Sequence, residues 1–486
     1  MELLVNVQNA KVDYLDKTVL DISEVKIYRG DRIGIVAPNG SGKTTLLKVL
    51  SGDIKPKGAE VHRYGRTALM AQQAEPEYMS PIDPKQQHLL NIPDRKQNMS
   101  GGEKTKRKFL ETLYSYPDVL LLDEPSAHMD ESGIQYIVEE LKFYYGAFVL
   151  VSHDRKLLNK LVDKIWTIRD QKLMTYSGNY DEYKEQRTAE LERMETTYAL
   201  VQKEKKRLRQ SLQDKKTKAN KVADRKGNRE FKAKPTNMTK SKETVQKNLY
   251  KSAKNLEKRL ENLVLPELPQ STDPVRFEAA YLKELHNKLP IIIEYIDLKA
   301  ENRLLIQNIN LQVPLGSKLS IIGKNGVGKT TLLKAIYKQE DGITISNKAK
   351  IGYFDQMSYL QFQSEHTLSI IDYCKRKSDY DEKHIRHMLG KVNFKQNDVY
   401  KKLCDLSGGE ATRLALMMVF IQDYNILLLD EPTNFLDIET IEVVEEFIVS
   451  YPGTVLCASH DNYFVNKISD IIYEISDLKL VVRERS

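Results

Sequence analysis

A chain of 486 residues exceeds one ordinary domain and leaves room for two or three, while 41% hydrophobic and 29% charged residues exclude a disordered or fibrous protein. No apolar run approaches the roughly 18 residues of a membrane span; Leu120 to Leu122 and Pro290 to Ile293 are representative, and the start at Met1 lacks the pattern of a cleaved signal and reads as a cytoplasmic terminus. The formal charge is only +7, and the three scattered cysteines, Cys374, Cys404 and Cys457, exclude a disulfide framework or a zinc or iron–sulfur site and read as reduced thiols.

Along the chain, the β-branched run Ile33 to Val36 predicts a strand, and the Gly-rich loop Gly34 to Thr45 carries it into a helical pattern. Strand, loop and helix in that order make a phosphate cradle, because backbone N–H groups and the helix N-terminus then face the anion. Asn39, Gly40, Gly42, Lys43, Thr44 and Thr45 are its candidate nucleotide contacts: Lys43 reaches the β- and γ-phosphates and the Thr44 hydroxyl holds Mg²⁺. The leading glycine of the G-x-x-x-x-G-K-[ST] pattern is replaced by Ala37, a small strain if that position requires positive φ and harmless otherwise. Ser100-Gly-Gly-Glu103 comes next, and the apolar run Val119 to Leu122 predicts a buried parallel strand. Its carboxyl end delivers Asp123, a Mg²⁺ ligand, and Glu124, which orients and polarises a water. After another apolar run comes His153, within hydrogen-bond reach of a γ-phosphate.

From Leu191 through Met194, Tyr198, Val201, Lys205, Leu208 and Leu212 the apolar spacing is three and four, broken by one lysine. The same spacing joins Val245, Leu249, Ser252, Leu256, Leu260 and Leu263. Two amphipathic helices joined near Gly227 and Pro235 predict an antiparallel hairpin, whose first helix, from about Tyr183 to Asn220, spans roughly 55 Å at 1.5 Å per residue. Between Val201 and Leu260 stand 21 Lys plus Arg against 6 Asp plus Glu, a net of +15, so the rest of the chain is net negative. A charge run is usually a solvated face. One this concentrated on a hairpin suits a polyanion, and structured RNA is the natural partner.

Beyond the hairpin the motifs return. The strand Leu319 to Ile322 leads into a loop with Gly323, Asn325, Gly326, Gly328, Lys329, Thr330 and Thr331, and Lys329 stands 286 positions after Lys43. Ser407-Gly-Gly-Glu410, Asp430-Glu431 and His460 each follow their counterparts by 307. Any one of these residues has an ordinary structural reading, but an ordered set repeated twice does not. Asp430 and Thr330 thus become the second pair of Mg²⁺ ligands, and Glu431 and His460 the second catalytic pair. The length difference lies earlier: 27 residues separate Gln72 from Ser100, against 50 between Gln356 and Ser407.

These motifs resemble those of the ATP-binding-cassette ATPases, with Met99 to Glu103 and Leu406 to Glu410 as signature motifs. The resemblance implies an α/β fold of two P-loop NTPase domains that pack head to tail, so that Lys43 works with Ser407 and Gly409, and Lys329 with Ser100 and Gly102. It makes Gln72 and Gln356 the Q-loop residues, near nucleotide and Mg²⁺, makes Asp130 and Asp437 the D-loop residues, and sets Tyr14 against adenine. Lys299 to Leu305, the stretch matching Tyr14, has no aromatic.

Two cassettes with a basic helical linker, and Gly178 to Tyr183 leading into it, resemble the ABC-F family, which acts on the bacterial ribosome. Implied domains are 1–182, 183–264 for the linker, and 265–486. Also implied are a monomer with intramolecular cassette pairing, ATP with Mg²⁺, and large-subunit rRNA, the tRNA exit site and P-site tRNA as partners. The short first insert leaves no room for the arm of housekeeping members and resembles the antibiotic-resistance, ribosome-protection branch. The alternatives are a factor relieving stalled ribosomes without resistance, and the ATPase subunit of a transporter with separate membrane chains. The basic linker disfavours the transporter, and the cysteine pattern disfavours a DNA-repair ATPase.

Overall fold

The computed structural model describes residues 2–14, 17–71, 101–127, 129, 131–224, 242–263, 277, 285, 287–300, 303–324, 326–355, 357–394, 397–434 and 436–483. Two compact units result: Met1–Tyr183 together with Asp273–Ser486, and Lys184–Thr272.

The larger unit holds both cassettes. The first runs β1 (Leu3–Tyr14), β2 (Lys17–Tyr28), β3 (Arg32–Ile35), α1 (Lys43–Ser51), β4 (Glu60–Arg63), β5 (Thr67–Met70), α2 (Gly101–Leu113), β6 (Val119–Asp123), α3 (Glu131–Lys142), β7 (Ala147–Val151), α4 (Arg155–Leu161), β8 (Lys164–Arg169) and β9 (Lys172–Ser177). Its six-stranded sheet has the order β5-β6-β7-β3-β8-β9, parallel except for β9. A three-stranded antiparallel sheet, β2-β1-β4, accompanies it. Every residue of β6 and β7 is buried, as continuous apolar runs in a doubly covered parallel sheet must be.

The chain then enters α5 (Tyr180–Asp224) and α6 (Lys242–Asn262), which form the hairpin unit apart from the first turn of α5. At 45 residues α5 is about 68 Å long. It starts earlier than the apolar stripe implied because Asn179 and Glu182 form a reciprocal cap: Glu182 N donates to Asn179 Oδ1 at 3.0 Å and Asn179 N to Glu182 Oε2 at 2.9 Å. Among the described residues of the hairpin unit, Leu208 and Ala253 are the buried ones. Ala253, rather than its neighbour Ser252, fills the seam, and Ser252 instead accepts a hydrogen bond from Lys215. Lys216 pairs with Glu257 at 2.6 Å. The tip, including Phe231 and Met238, lies outside the described residues.

The second cassette repeats the first, with β10 (Ile291–Ala300), β11 (Arg303–Val313), β12 (Lys318–Gly323), α7 (Lys329–Lys338), β13 (Ile343–Ile345), β14 (Ile351–Phe354), α8 (Ile370–Lys377), α9 (Glu382–Lys391), α10 (Gly408–Ile421), β15 (Ile426–Asp430), α11 (Ile438–Ser450), β16 (Thr454–Ala458), α12 (Asn462–Ile468), β17 (Ile471–Ser476) and β18 (Lys479–Arg483). Its sheets, β14-β15-β16-β12-β17-β18 and β11-β10-β13, copy the first cassette strand for strand. The two added helices, α8 and α9, occupy the longer insert and bury Ile371, Cys374, Ile385 and Met388 with α10. No helix among the described residues is long and apolar enough to cross a membrane.

Candidate functional site

Each Gly-rich loop turns from the central strand of its sheet into a helix. Gly42 and Gly328 sit at the turn with φ of 101° and 115°. A Cβ on Gly42 would come 2.9 Å from Val19, and one on Gly328 3.2 Å from Leu305, so glycine is required there twice over. The helices α1 and α7 have no side-chain cap at these residues, which leaves their first N–H groups to the loop concavity. At the head of the loop Gly323 has φ of 152°, whereas Ala37 is absent from the non-glycine residues with positive φ. The alanine departure therefore carries no backbone strain.

The side chains converge in matched pairs. Lys43 Nζ donates to Ala37 O at 2.7 Å and to Asn39 Oδ1 at 3.2 Å, and Lys329 Nζ donates to Gly323 O at 2.8 Å. Thr44 Oγ1 donates to Asp123 Oδ2 at 2.8 Å, and Thr330 Oγ1 to Asp430 Oδ1 at 3.0 Å. Burial raises both aspartates above the usual carboxylate range. Next to them, Glu124 and Glu431 take left-handed φ of 53° and 48°, rare for a side chain of this kind, and each is fixed there by its own N–H on the neighbouring strand. Glu124 N donates to Val151 O at 3.0 Å and Glu431 N to Ala458 O at 2.8 Å.

Here the copies diverge. His460 Nδ1 lies 2.7 Å from Glu431 Oε2, a geometry that puts the ring proton on Nδ1. Burial is the largest influence on Glu431, but that bond, the His460 and Lys329 charges and the His460 N–H together outweigh it and hold the carboxyl below the ordinary glutamate range, and the same bond raises His460. In the first copy His153 Nε2 stands 3.4 Å from Glu124 Oε1 and 3.5 Å from Lys43 Nζ. Burial there pushes Glu124 up, and burial with the Lys43 charge pushes His153 down. Glu124 Oε1 and His153 Nδ1 are buried without a hydrogen-bond partner.

A cavity of about 1730 Å³ passes both loops and is lined by Lys43, Glu124 and His153 of one cassette and by Lys329, Glu431 and His460 of the other. Asn39, Gly40, Thr45, Gly326, Thr331, Ser407, Gly409 and Tyr14 also face it. Across the cassettes, Asn39 N donates to Asp437 Oδ2 at 2.8 Å. Gly102 lies in the first turn of α2, while Gln72, Ser100, Asp130, Asn325 and Gln356 lie outside the described residues. Several lining residues are not among the candidates read from the sequence, Arg303 among them. Arg303 opens β11 opposite Ala300, as Lys17 opens β2 opposite Tyr14, so Ala300 is the counterpart of the tyrosine and Arg303, its cross-strand neighbour, faces the cavity beside it. The hairpin register, which a search for aromatics ignores, is the signal that finds it.

A family model described as "ABC transporter" matches residues 20–80 and 306–434. The erythromycin resistance ATP-binding protein MsrA of Staphylococcus epidermidis is 36% identical over 95% of this chain and 95% of its own length. The ribosome protection protein VmlR of Bacillus subtilis is 31% identical over 98% of this chain and 87% of its own. Among solved structures, an RNase-L inhibitor shares the tandem fold with a TM-score of 0.60 at 17% identity, over 96% of this chain and 87% of that one. With its cassettes, linker and loops in this order, the chain belongs to the ABC-F family of tandem ATP-binding-cassette proteins and is an ATP hydrolase.

Proposed function

We propose that this ATPase binds the bacterial ribosome at the tRNA exit site, extends its hairpin toward the peptidyl-transferase centre beside P-site tRNA, and protects the ribosome by displacing antibiotics. The observation that carries this reading is the +15 charge of residues 201–260, a stretch that takes in the far part of a helix about 68 Å long. Such a rod neutralises rRNA phosphates while the cassettes stay outside. The full-length likeness to proteins named for erythromycin resistance and ribosome protection supports it. The domain limits 1–182, 183–264 and 265–486 and a cytoplasmic, monomeric state go with it.

ATP occupies the two loops, its phosphates on the N–H groups of α1 and α7 and on Lys43 and Lys329, with Ser407 and Gly409 closing the first site and Ser100 and Gly102 the second. Tyr14 stacks on one adenine. The Thr44–Asp123 and Thr330–Asp430 pairs, hard oxygen donors already in contact, suit Mg²⁺ beside Gln72 and Gln356. When bound, the ion neutralises charge on the phosphate oxygens. Glu124 and Glu431 orient the attacking water and accept its proton as ATP becomes ADP and phosphate, and His153 and His460 donate to the γ-phosphate.

Expression in a drug-sensitive bacterium tests the function. Inhibitory concentrations of peptidyl-transferase inhibitors should rise, and the rise should vanish when both Glu124 and Glu431 are changed to Gln. Unchanged concentrations with the protein on ribosomes would favour relief of stalled ribosomes, and sedimentation with membranes would favour a transporter subunit.

A further inference from the structure

Among the described residues, the seam between the cassettes is chemically one-sided. Helix α11 carries Glu439, Glu442 and Glu445 at i, i+3 and i+6, which places them along one face. Each meets a partner on the first cassette. Arg169 Nη2 lies 3.2 Å from Glu439 Oε1, Tyr180 OH donates to Glu442 Oε1 at 2.9 Å, and Arg155 Nη2 lies 2.5 Å from Glu445 Oε1. Both side chains of the last pair are only 1% exposed, and the Arg155 guanidinium also stacks over Tyr463 at 4.1 Å. Lys467 takes the other Glu445 oxygen at 2.6 Å. At the head of the same helix, Ile438 packs into the core of the first cassette. Asp437 caps α11 with one oxygen, on Thr440 N at 2.9 Å, and accepts Asn39 N of the first phosphate loop with the other. The acidic face is thus joined through a single helix start to the residue that touches the Lys43 loop.

The internal repeat supplies the control. At the offset of 307 that relates α3 to α11, the three acids correspond to Ser132, Gln135 and Val138, and Arg155 and Arg169 correspond to Asn462 and Ser476. None is charged, and Gln135, Val138 and Asn462 line the open cavity. The cassette fold therefore has no need of this charge. A buried ion pair is also a poor route to stability alone, since well-packed apolar residues do as well. What it provides is attachment on one side only.

We propose that Glu439, Glu442 and Glu445, with Arg155, Arg169 and Tyr180, form a standing hinge that positions Asp437 on the first phosphate loop, so that nucleotide leaves the Lys43 site slowly and exchange occurs at the Lys329 side. The proposal rests on reading both loops as ATP sites. Release of mant-ADP is measured from full-length proteins with one loop disabled: Lys329→Ala reports the first site and Lys43→Ala the second. Release from the first should be about tenfold slower, the effect of one contact worth about 1.4 kcal/mol. Installing the counterpart residues together (Arg155→Asn, Glu439→Ser, Glu442→Gln, Glu445→Val) should accelerate the first site about tenfold and leave the second alone. Should that protein fail to fold, Glu442→Gln alone should give a smaller acceleration, again confined to the first site. Equal release from the two sites before substitution, or equal acceleration in both, overturns the hinge. Two bound mant-ADP per chain in either loop variant would instead overturn the site assignment on which it rests.

Discussion

Two glutamates share a sequence motif, a strand end and a left-handed backbone, yet their partners differ. Glu431 already holds its histidine at 2.7 Å, while Glu124 and His153 stand 3.4 Å apart in a pocket whose burial disfavours charge on either. A water-orienting carboxylate works ionised and fixed, so the Lys329 site should contribute the larger share of steady-state turnover. Glu431→Gln is expected to remove most of it, and Glu124→Gln to leave a clearly larger residue of activity. Phosphate release from the two single variants checks this, and equal losses would refute it. Glu410 offers a separate test on stability. Burial works against its charge, but Ser407 N, Ser407 Oγ and Lys401 hold its carboxyl down at about 2. The folded value lies below the roughly 4.3 of an unfolded glutamate, so the stabilisation is present above that pH and is lost as pH falls toward the folded value. Glu410→Gln should therefore cost about 1 kcal/mol at neutral pH, the scale of a capping bond, and the gap between the proteins should close between roughly pH 4 and pH 2. Denaturation midpoints at several pH values measure it, and a constant gap would refute the ionic part.

In the hairpin, stability depends on a thin seam. Leu208 and Ala253 are 8% and 4% exposed, and no other described position there is buried. Leu208→Ala should cost about 2 kcal/mol, the low end of core truncations, and lower the helical signal. ATP turnover without ribosomes should hold, because the cassettes form their own unit. The same seam shows how far residues alone carry the fold. A three-four stripe specifies a helix and its inner face, so Leu208 was legible, but α5 gains a turn from the Asn179 cap, a polar exchange that hydrophobic spacing does not register. On the other helix the extrapolated stripe chose Ser252, yet Lys215 draws that hydroxyl into a polar contact and Ala253 fills the seam. The phosphate loops were legible for a stronger reason: both need glycine against Val19 or Leu305, and both need Thr beside Asp. Arg303 and the acidic face of α11 were not, since each acquires its role only from what the other strand or cassette presents.

At the scale of the whole molecule, the proposed function assigns hydrolysis and ribosome binding to different units, and their coupling can be tested by stopping the chemistry without emptying the sites. Glu124 and Glu431 follow Asp123 and Asp430, and the Lys43 and Lys329 side chains donate to loop carbonyls, with Lys329 Nζ also 3.5 Å from Glu431 Oε1. Glutamine in both places keeps the shape and hydrogen-bonding reach of the side chain but cannot accept the proton of an attacking water. Nucleotide affinity should stay within about threefold, since no phosphate-facing N–H or lysine is altered. ATP turnover should fall by at least about a hundredfold, as expected when a positioned proton acceptor is lost. If ATP binding seats the protein and hydrolysis releases it, the double variant should accumulate on ribosomes and inhibit translation in an extract supplied with ATP. Retention should weaken steeply with added salt if, as proposed, the basic hairpin attaches through phosphate contacts. Sedimentation through sucrose at two salt concentrations, with an ATPase assay on the same preparation, separates the possible failures. Undiminished turnover would refute the roles of the two glutamates, whereas lost turnover without retention would uncouple the ATP cycle from ribosome binding and leave the hydrolysis assignment intact.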